Sequence, residues 1–186
     1  MKASKILIAA FMTGMTLFTM SSCKKVKQLA NVDISLTAAD INLTIPQINA
    51  TGSSTLSEVN VPLNVDSIIK ANNAEFAMKN IKSVKMKSCT ITMLDGDAAN
   101  NFSALESAEV LFASNAVPTL TSIATISGNP DVESYTITVP VNTSADLKNY
   151  FNTSSYTYRL TGNARKTTSK PIQCKATIKY TLNVGL

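Results

Sequence analysis

Ile172-Gln173-Cys174-Lys175-Ala176-Thr177-Ile178-Lys179-Tyr180-Thr181-Leu182-Asn183-Val184 alternates apolar and polar residues without a fault. Successive side chains of a strand point to opposite faces. Ile172, Cys174, Ala176, Ile178, Tyr180, Leu182 and Val184 therefore share one face, and the polar residues between them share the other. A long strand with one dry and one wet face belongs in an antiparallel sheet.

The same period, less regular, recurs upstream. Tyr135-Ile137-Val139-Val141 and Tyr156-Tyr158-Leu160 alternate with polar residues. Val32-Ile34-Leu36 is in phase, but Ile41-Leu43-Ile45 has changed face, which places a bend or bulge near Ala39-Asp40. Val84-Met86 and Cys89-Ile91-Met93 switch face in the same way. Further strands are expected at 56–65, 108–113 and 119–126. Thr51-Gly52-Ser53-Ser54, Asp95-Gly96-Asp97 and Ser127-Gly128-Asn129-Pro130 carry the turn chemistry between them. Many short strands at such spacing predict a mainly β chain, an antiparallel β-sandwich with one or two short helices. Asp66 is placed to cap a helix over Ser67–Ala71. Ser144 is placed to cap a turn in which Leu147, Tyr150 and Phe151 share a face. No linker divides residues 32–186, which read as a single domain.

The N-terminus has three zones. Lys2 and Lys5 are positive, Ile6 to Met20 is apolar and uncharged, and Met20-Ser21-Ser22-Cys23 ends the run. The apolar stretch is shorter than the roughly 20 residues a spanning helix needs. The pattern is that of a secretory signal peptide, residues 1–22. Met20-Ser21-Ser22-Cys23 resembles a lipobox, with Met20 where Leu is usual, and Ser-Ser-Cys-Lys-Lys is similar to the starts of Bacteroidetes-type lipoproteins. The resemblance covers only the first 25 residues or so. It implies a diacylglyceryl group on Cys23, cleavage before it, and acylation of its new amine, with residues 23–31 as a lipidated tether. Two or three acyl chains give a stable membrane anchor, each buried CH₂ contributing about 0.8 kcal/mol. Lys24 stands where some lipoproteins carry an aspartate that retains them in the inner membrane, so the expected address is the outer membrane.

Charge points away from nucleic acid. The chain has 17 Lys and Arg against 12 Asp and Glu. Lys2, Lys5, Lys24, Lys25 and Lys27 all precede Gln28, which leaves 12 basic residues against 12 acidic ones in the rest. A nucleic-acid binder would need a dense basic surface. Lys24, Lys25 and Lys27 suit attraction to anionic headgroups or, equally, a plain solvated tether.

Histidine is absent, which excludes Ser-His-Asp and Cys-His nucleophiles and the usual His-containing zinc sites. No catalytic residue, metal or cofactor is expected. Asp131/Glu133 and Glu106/Glu109 read as surface acids. Tryptophan is absent too; Tyr156 and Tyr158 could form a small sugar platform, but their phase with Leu160 favours the core. Asp95, Asp97 and Glu106 fall at positions 1, 3 and 12 of a loop, as in an EF-hand. Ala99 and Asn100 stand where an oxygen ligand and a glycine belong, so the calcium reading is weak and a loop of turn residues is simpler. Cys89 and Cys174 are in phase with inward residues; an exported chain permits a disulfide between them, and two buried free thiols are the equal alternative. Asp66-Ser67-Ile68 resembles the acceptor of O-glycosylation in exported Bacteroidetes proteins and nominates Ser67.

Three function classes follow. The first is a non-enzymatic binding or assembly module of the envelope, with a protein or lipid partner and the loops 95–103 and 127–134 as its contact surface. The second is a carrier of an apolar ligand between the sheets, lined for instance by Met86, Met93 and Ile178. The third is a carboxylate-dependent hydrolase.

Overall fold

β8 (Ile172–Val184) lies inside a sheet, flanked by β1 (Val32–Ile45) and β3 (Ile81–Met93). All seven of its in-phase apolar residues are buried. The computed structural model describes residues 31–186, the side chains of Ala38 and Ala39 excepted; the expected signal peptide, lipobox, Cys23 and tether up to Ala30 lie outside the described residues. β6 (Thr136–Thr138) extends this sheet, sheet I, to the order β1-β8-β3-β6. β2 (Gly52–Pro62), β4 (Leu105–Ser114), β5 (Thr121–Ile126) and β7 (Ser155–Ala164) form sheet II in the order β2-β7-β4-β5. Every pairing is antiparallel. The chain is a mainly β sandwich, as the alternation predicts.

Bulges explain the changes of phase. β1 pairs Ala38 with Ile178 but Ile41 with Ala176, so one extra residue is inserted near Ala39-Asp40. In β3, Met86 faces Tyr180 and Ser88 faces Lys179, which makes Lys87 the extra residue. A second insertion in β3, between Ile81 and Ser83, is Lys82. Each bulge puts one more residue outside. Val84, Met86, Cys89, Ile91 and Met93 therefore all stay buried despite the broken period.

The two inner faces meet through aromatic rings. Phe112 of β4 packs on Tyr180 of β8 across the sandwich with centroids 6.2 Å apart, and Phe151 meets Tyr180 edge-on at 5.1 Å. The hydroxyls of Tyr158 and Tyr180 are 3.0 Å apart and link the sheets through one buried hydrogen bond. Tyr156 and Tyr158 thus belong to the core. Each large side chain so buried contributes about 1.5–3 kcal/mol.

Several local expectations need correction. The helix, α1, runs Val65–Asn72, and Asn64 caps it by accepting from the Ser67 N–H at 3.0 Å. Asp66 sits inside the first turn, pairs with Lys70 and accepts from the Met78 N–H at 2.8 Å. Asn64 comes two residues earlier because Val65 is already needed as a buried helical residue. That also ends β2 at Pro62 and not at 65. The second turn is a 3₁₀ turn, Lys148–Phe151, in which Asp146, not Ser144, accepts the Lys148 N–H; Ser144 bonds to Asn142 instead. Residues 52–54 lie in β2, entered through Gly52 at φ 117°, a conformation that favours glycine. Finally, the strand expected from Tyr135 to Val141 changes sheets. The Val139 N–H still bonds Cys89 of β3, whereas the carbonyl of Pro140, which has no N–H, accepts from Thr125 of β5.

Candidate functional site

The register of β8 gives the sandwich two unlike ends. At one, Val184 lies beside Val32 and Ile81, and the described chain enters. At the other, Cys174 lies beside Leu43 and Met93, and the loops after β1, β3, β5 and β7 gather. These include 95–103 and 127–134, the contact surface expected from the sequence.

Side-chain amides pin this loop end from within. Asn129, buried, donates to the carbonyls of Phe102 (2.7 Å) and Leu105 (2.9 Å). Asn101 donates to Ala98 O and accepts the Ser103 N–H, holding a 3₁₀ turn at Phe102–Ala104. Asn100 donates to Asp97 and accepts the Ser169 N–H at 2.8 Å, which ties the loop after β3 to the loop before β8. Thr168 accepts the Ile48 N–H at 2.9 Å and adds the loop after β1. Buried amides so satisfied make a stiff frame.

Large apolar side chains stand on that frame. The exposed ones among the described residues are Leu94 (60%), Val132 (67%), Tyr135 (38%) and the C-terminal Leu186 (72%). Three of these four lie at the loop end. Tyr135 is placed by its backbone, whose carbonyl accepts the Met93 N–H. Its ring covers Gly96, where a Cβ would come within 2.7 Å of it. A hydrogen bond with Glu133 raises the pKa of the Tyr135 hydroxyl.

The acids singled out from sequence serve as braces. Asp95 accepts the Gln173 N–H at 2.7 Å. Asp97 pairs with Lys170 at 3.0 Å and accepts from Ala99 and Asn100, and the hydrogen bond from Lys170 leads in holding its pKa below the usual value. Glu106 accepts from Asn163 on β7. Among the described residues no three acidic or thiol side chains converge as a metal cage, so the weak calcium set Asp95, Asp97 and Glu106 is not brought together. Asp40, Asp66 and Asp131 are likewise held low, chiefly by Lys175, Lys70 and Lys166. That is opposite to the raised pKa a carboxylic general acid requires.

Cys89 and Cys174 are buried and free. Cys89 lies opposite Ile178 and Cys174 opposite Met93. The two are thus offset by four residues along β8, about 13 Å at strand rise, beyond the roughly 7 Å a disulfide spans. Of the two alternatives the sequence left open, the free thiols are the one observed, and burial pushes both up to about 12. Ser67 is exposed on α1, open to modification.

Between the sheets, a cavity lined by Ile41, Cys89, Ile91, Tyr158 and Ile178 among others measures about 20 Å³. That is room for about one water, far below the roughly 300–1,000 Å³ of a small-molecule pocket. Met86 and Met93 do not line it. A larger open groove of about 350 Å³ lies on the outside of sheet II, beside the Glu58–Arg159 pair and Pro118.

No protein-family model matches the chain, and no curated protein sequence matches it. Among solved structures it is similar to that of infectious bursal disease virus Gx strain, at 12% identity and TM-score 0.41, over 83% of this chain and 32% of that one. The infectious bursal disease virus VP2 subviral particle gives 9% identity and TM-score 0.37, over 83% and 33%. Desmodium yellow mottle tymovirus gives 11% and 0.30, over 84% and 89%. The chain spans about a third of the length of the first two, and no function follows from any of the three.

Proposed function

We propose that this chain is an envelope lipoprotein, anchored in the outer membrane through Cys23, whose sandwich is a non-enzymatic binding or assembly module. The observation that carries the reading is the company of Leu94, Val132 and Tyr135 on a stiff, amide-pinned loop end. Binding surfaces draw affinity from a few apolar or aromatic anchors set among polar contacts, and loops on a rigid frame commonly supply them. The described chain enters the sandwich at the opposite end, at Val32 beside Val184. The carrier reading has little support from a cavity of about 20 Å³. The hydrolase reading has little from carboxylates held low by lysines.

The test is native mass spectrometry of the chain extracted from its own envelope, beside a Leu94→Ser/Val132→Asp double variant. The expected result is a discrete partner on the wild type, absent from the variant at equal thermal stability. An unchanged partner, or turnover of generic ester, glycoside or peptide substrates that vanishes on neutralising one carboxylate, would overturn the reading. Anchoring is read separately: metabolic fatty-acid label on the wild type, and none on Cys23→Ser.

A further inference from the structure

The cations of the described domain are unevenly placed. Lys70, Arg159, Lys166, Lys170 and Lys175 each pair with a carboxylate. Lys79, Lys82, Lys85, Lys87, Lys148, Arg165 and Lys179 pair with no carboxylate among the described residues. Arg165 donates to the carbonyls of Leu105 and Asn129 instead, and Lys148 stands on the 3₁₀ turn; the other five are exposed. They share one region. Lys85 and Lys179 lie on the wet face of sheet I, Lys82 and Lys87 are the extra residues of the two β3 bulges, and Lys79 stands just before β3. Acids beside them are Asp33, which accepts from Asn183, Asp146, which accepts the Val84 N–H, and Asp66, which pairs with Lys70 and accepts the Met78 N–H next to Lys79. The far half of the same face differs, because Lys175 is there neutralised by Asp40.

This half-face is the one nearest the entry of the chain. Val32 pairs with Val184, Ser83 with Asn183, Lys85 with Thr181 and Ser88 with Lys179. The patch thus reaches five residues along β8 from the entry point, about 17 Å. A nine-residue tether from Cys23 to Asn31 spans at most about 30 Å, so an anchored domain cannot carry the patch far from its bilayer. Lys24, Lys25 and Lys27 on the tether add charge of the same sign.

We infer that the tether-proximal half of the outer face of sheet I, through Lys79, Lys82, Lys85, Lys87 and Lys179, docks on anionic lipid headgroups of the bilayer that holds the anchor. This rests on the anchored reading above. It gives the domain a posture: lysine half-face down, loop end lifted clear. Each lysine near such a surface is worth roughly fivefold in binding, and the attraction is confined to within a Debye length of about 8–10 Å at physiological salt.

The test uses the full chain, purified from the envelope and reconstituted into vesicles of phosphatidylcholine with or without phosphatidylglycerol. Lysines are acetylated with a water-soluble ester and read by peptide mass spectrometry. Lys82, Lys85, Lys87 and Lys179 should label about fivefold slower or more on the anionic vesicles. High salt should abolish the difference, while Lys166 and Lys170 should not respond. Equal labelling on both vesicles, or equal slowing of all lysines, would overturn the inference. So would protection by added DNA in place of anionic lipid. The intact mass of the same sample reports whether Cys23 carries acyl chains, so a failed anchor and a failed docking face are told apart. K82Q/K85Q/K87Q/K179Q should melt as wild type yet lose the lipid-dependent protection at Lys79; retained protection there would also count against the face.

Discussion

The loop end and the entry end of this sandwich solve opposite problems with the same strands. At the loop end, Asn100, Asn101 and Asn129 are buried; Asn101 and Asn129 donate to backbone carbonyls, and Asn100 donates to Asp97 and Ser169 and accepts the Ser169 N–H. Lysines there are paired, Lys166 with Asp131 and Lys170 with Asp97, while Arg165 donates to the carbonyls of Leu105 and Asn129. At the entry end the ladder itself satisfies the backbone, and five lysines stand without carboxylate partners among the described residues. The first surface is stiff and carries exposed apolar groups; the second is wet and rich in lysine. The difference teaches that stability and surface chemistry are separately encoded here, so substitutions at the two ends should have unlike consequences.

The comparison breaks most completely where both ends hang from one strand. Ile178→Asp puts an unpaired charge among Cys89, Ile91 and Tyr158, and should cost at least about 3 kcal/mol of a total that is typically about 5–15. Lys179→Asp, one residue along on the wet face, should stay within about 0.5 kcal/mol. Urea unfolding checks both; equal midpoints would mean the register of β8 is wrong. Asn129→Leu sharpens the contrast next. It strips the amide donor from two carbonyls and should cost about 2–4 kcal/mol, whereas Lys85→Gln at the entry end should change stability by under about 0.5 kcal/mol. The smallest effect is a response to acid. Asp97 and Asp131 have folded pKa values below the usual carboxylate value of 3.8. Their contribution is therefore present above that value and lost as pH falls through the folded pKa. The protection of the Ala99 amide, whose N–H Asp97 accepts, relative to its intrinsic exchange rate at each pH should fall as Asp97 is protonated, and that of Thr181 should not.

Much of the sandwich was legible in the sequence because period two is a local signal. β8 is read from thirteen residues alone, and the lost phase at Ala39-Asp40 announced its bulge. The loop end was legible only as loops. Its asparagines looked like turn residues, and nothing near them in sequence says that they are buried. Their partners are remote: Ser169 lies 69 residues from Asn100, and Phe102 lies 27 from Asn129. The acids 95, 97 and 106 suggested calcium by spacing, but Gln173, Lys170 and Asn163 from other strands and loops use up their oxygens. The helix cap moved from Asp66 to Asn64 because either residue can cap, and only packing of Val65 and Ile69 decides. The lysine face was hidden by the balance of total charge, since pairing depends on the fold.

The central claim is that the loop end is where this domain makes contact. A photoreactive residue placed at Val132, in the full chain expressed in its own envelope, tests it directly against the same residue at Asn60, exposed on β2 away from the loop end. The account predicts a discrete crosslinked partner from position 132 and none from position 60. No adduct at 132, or the same adducts from both positions, would contradict it.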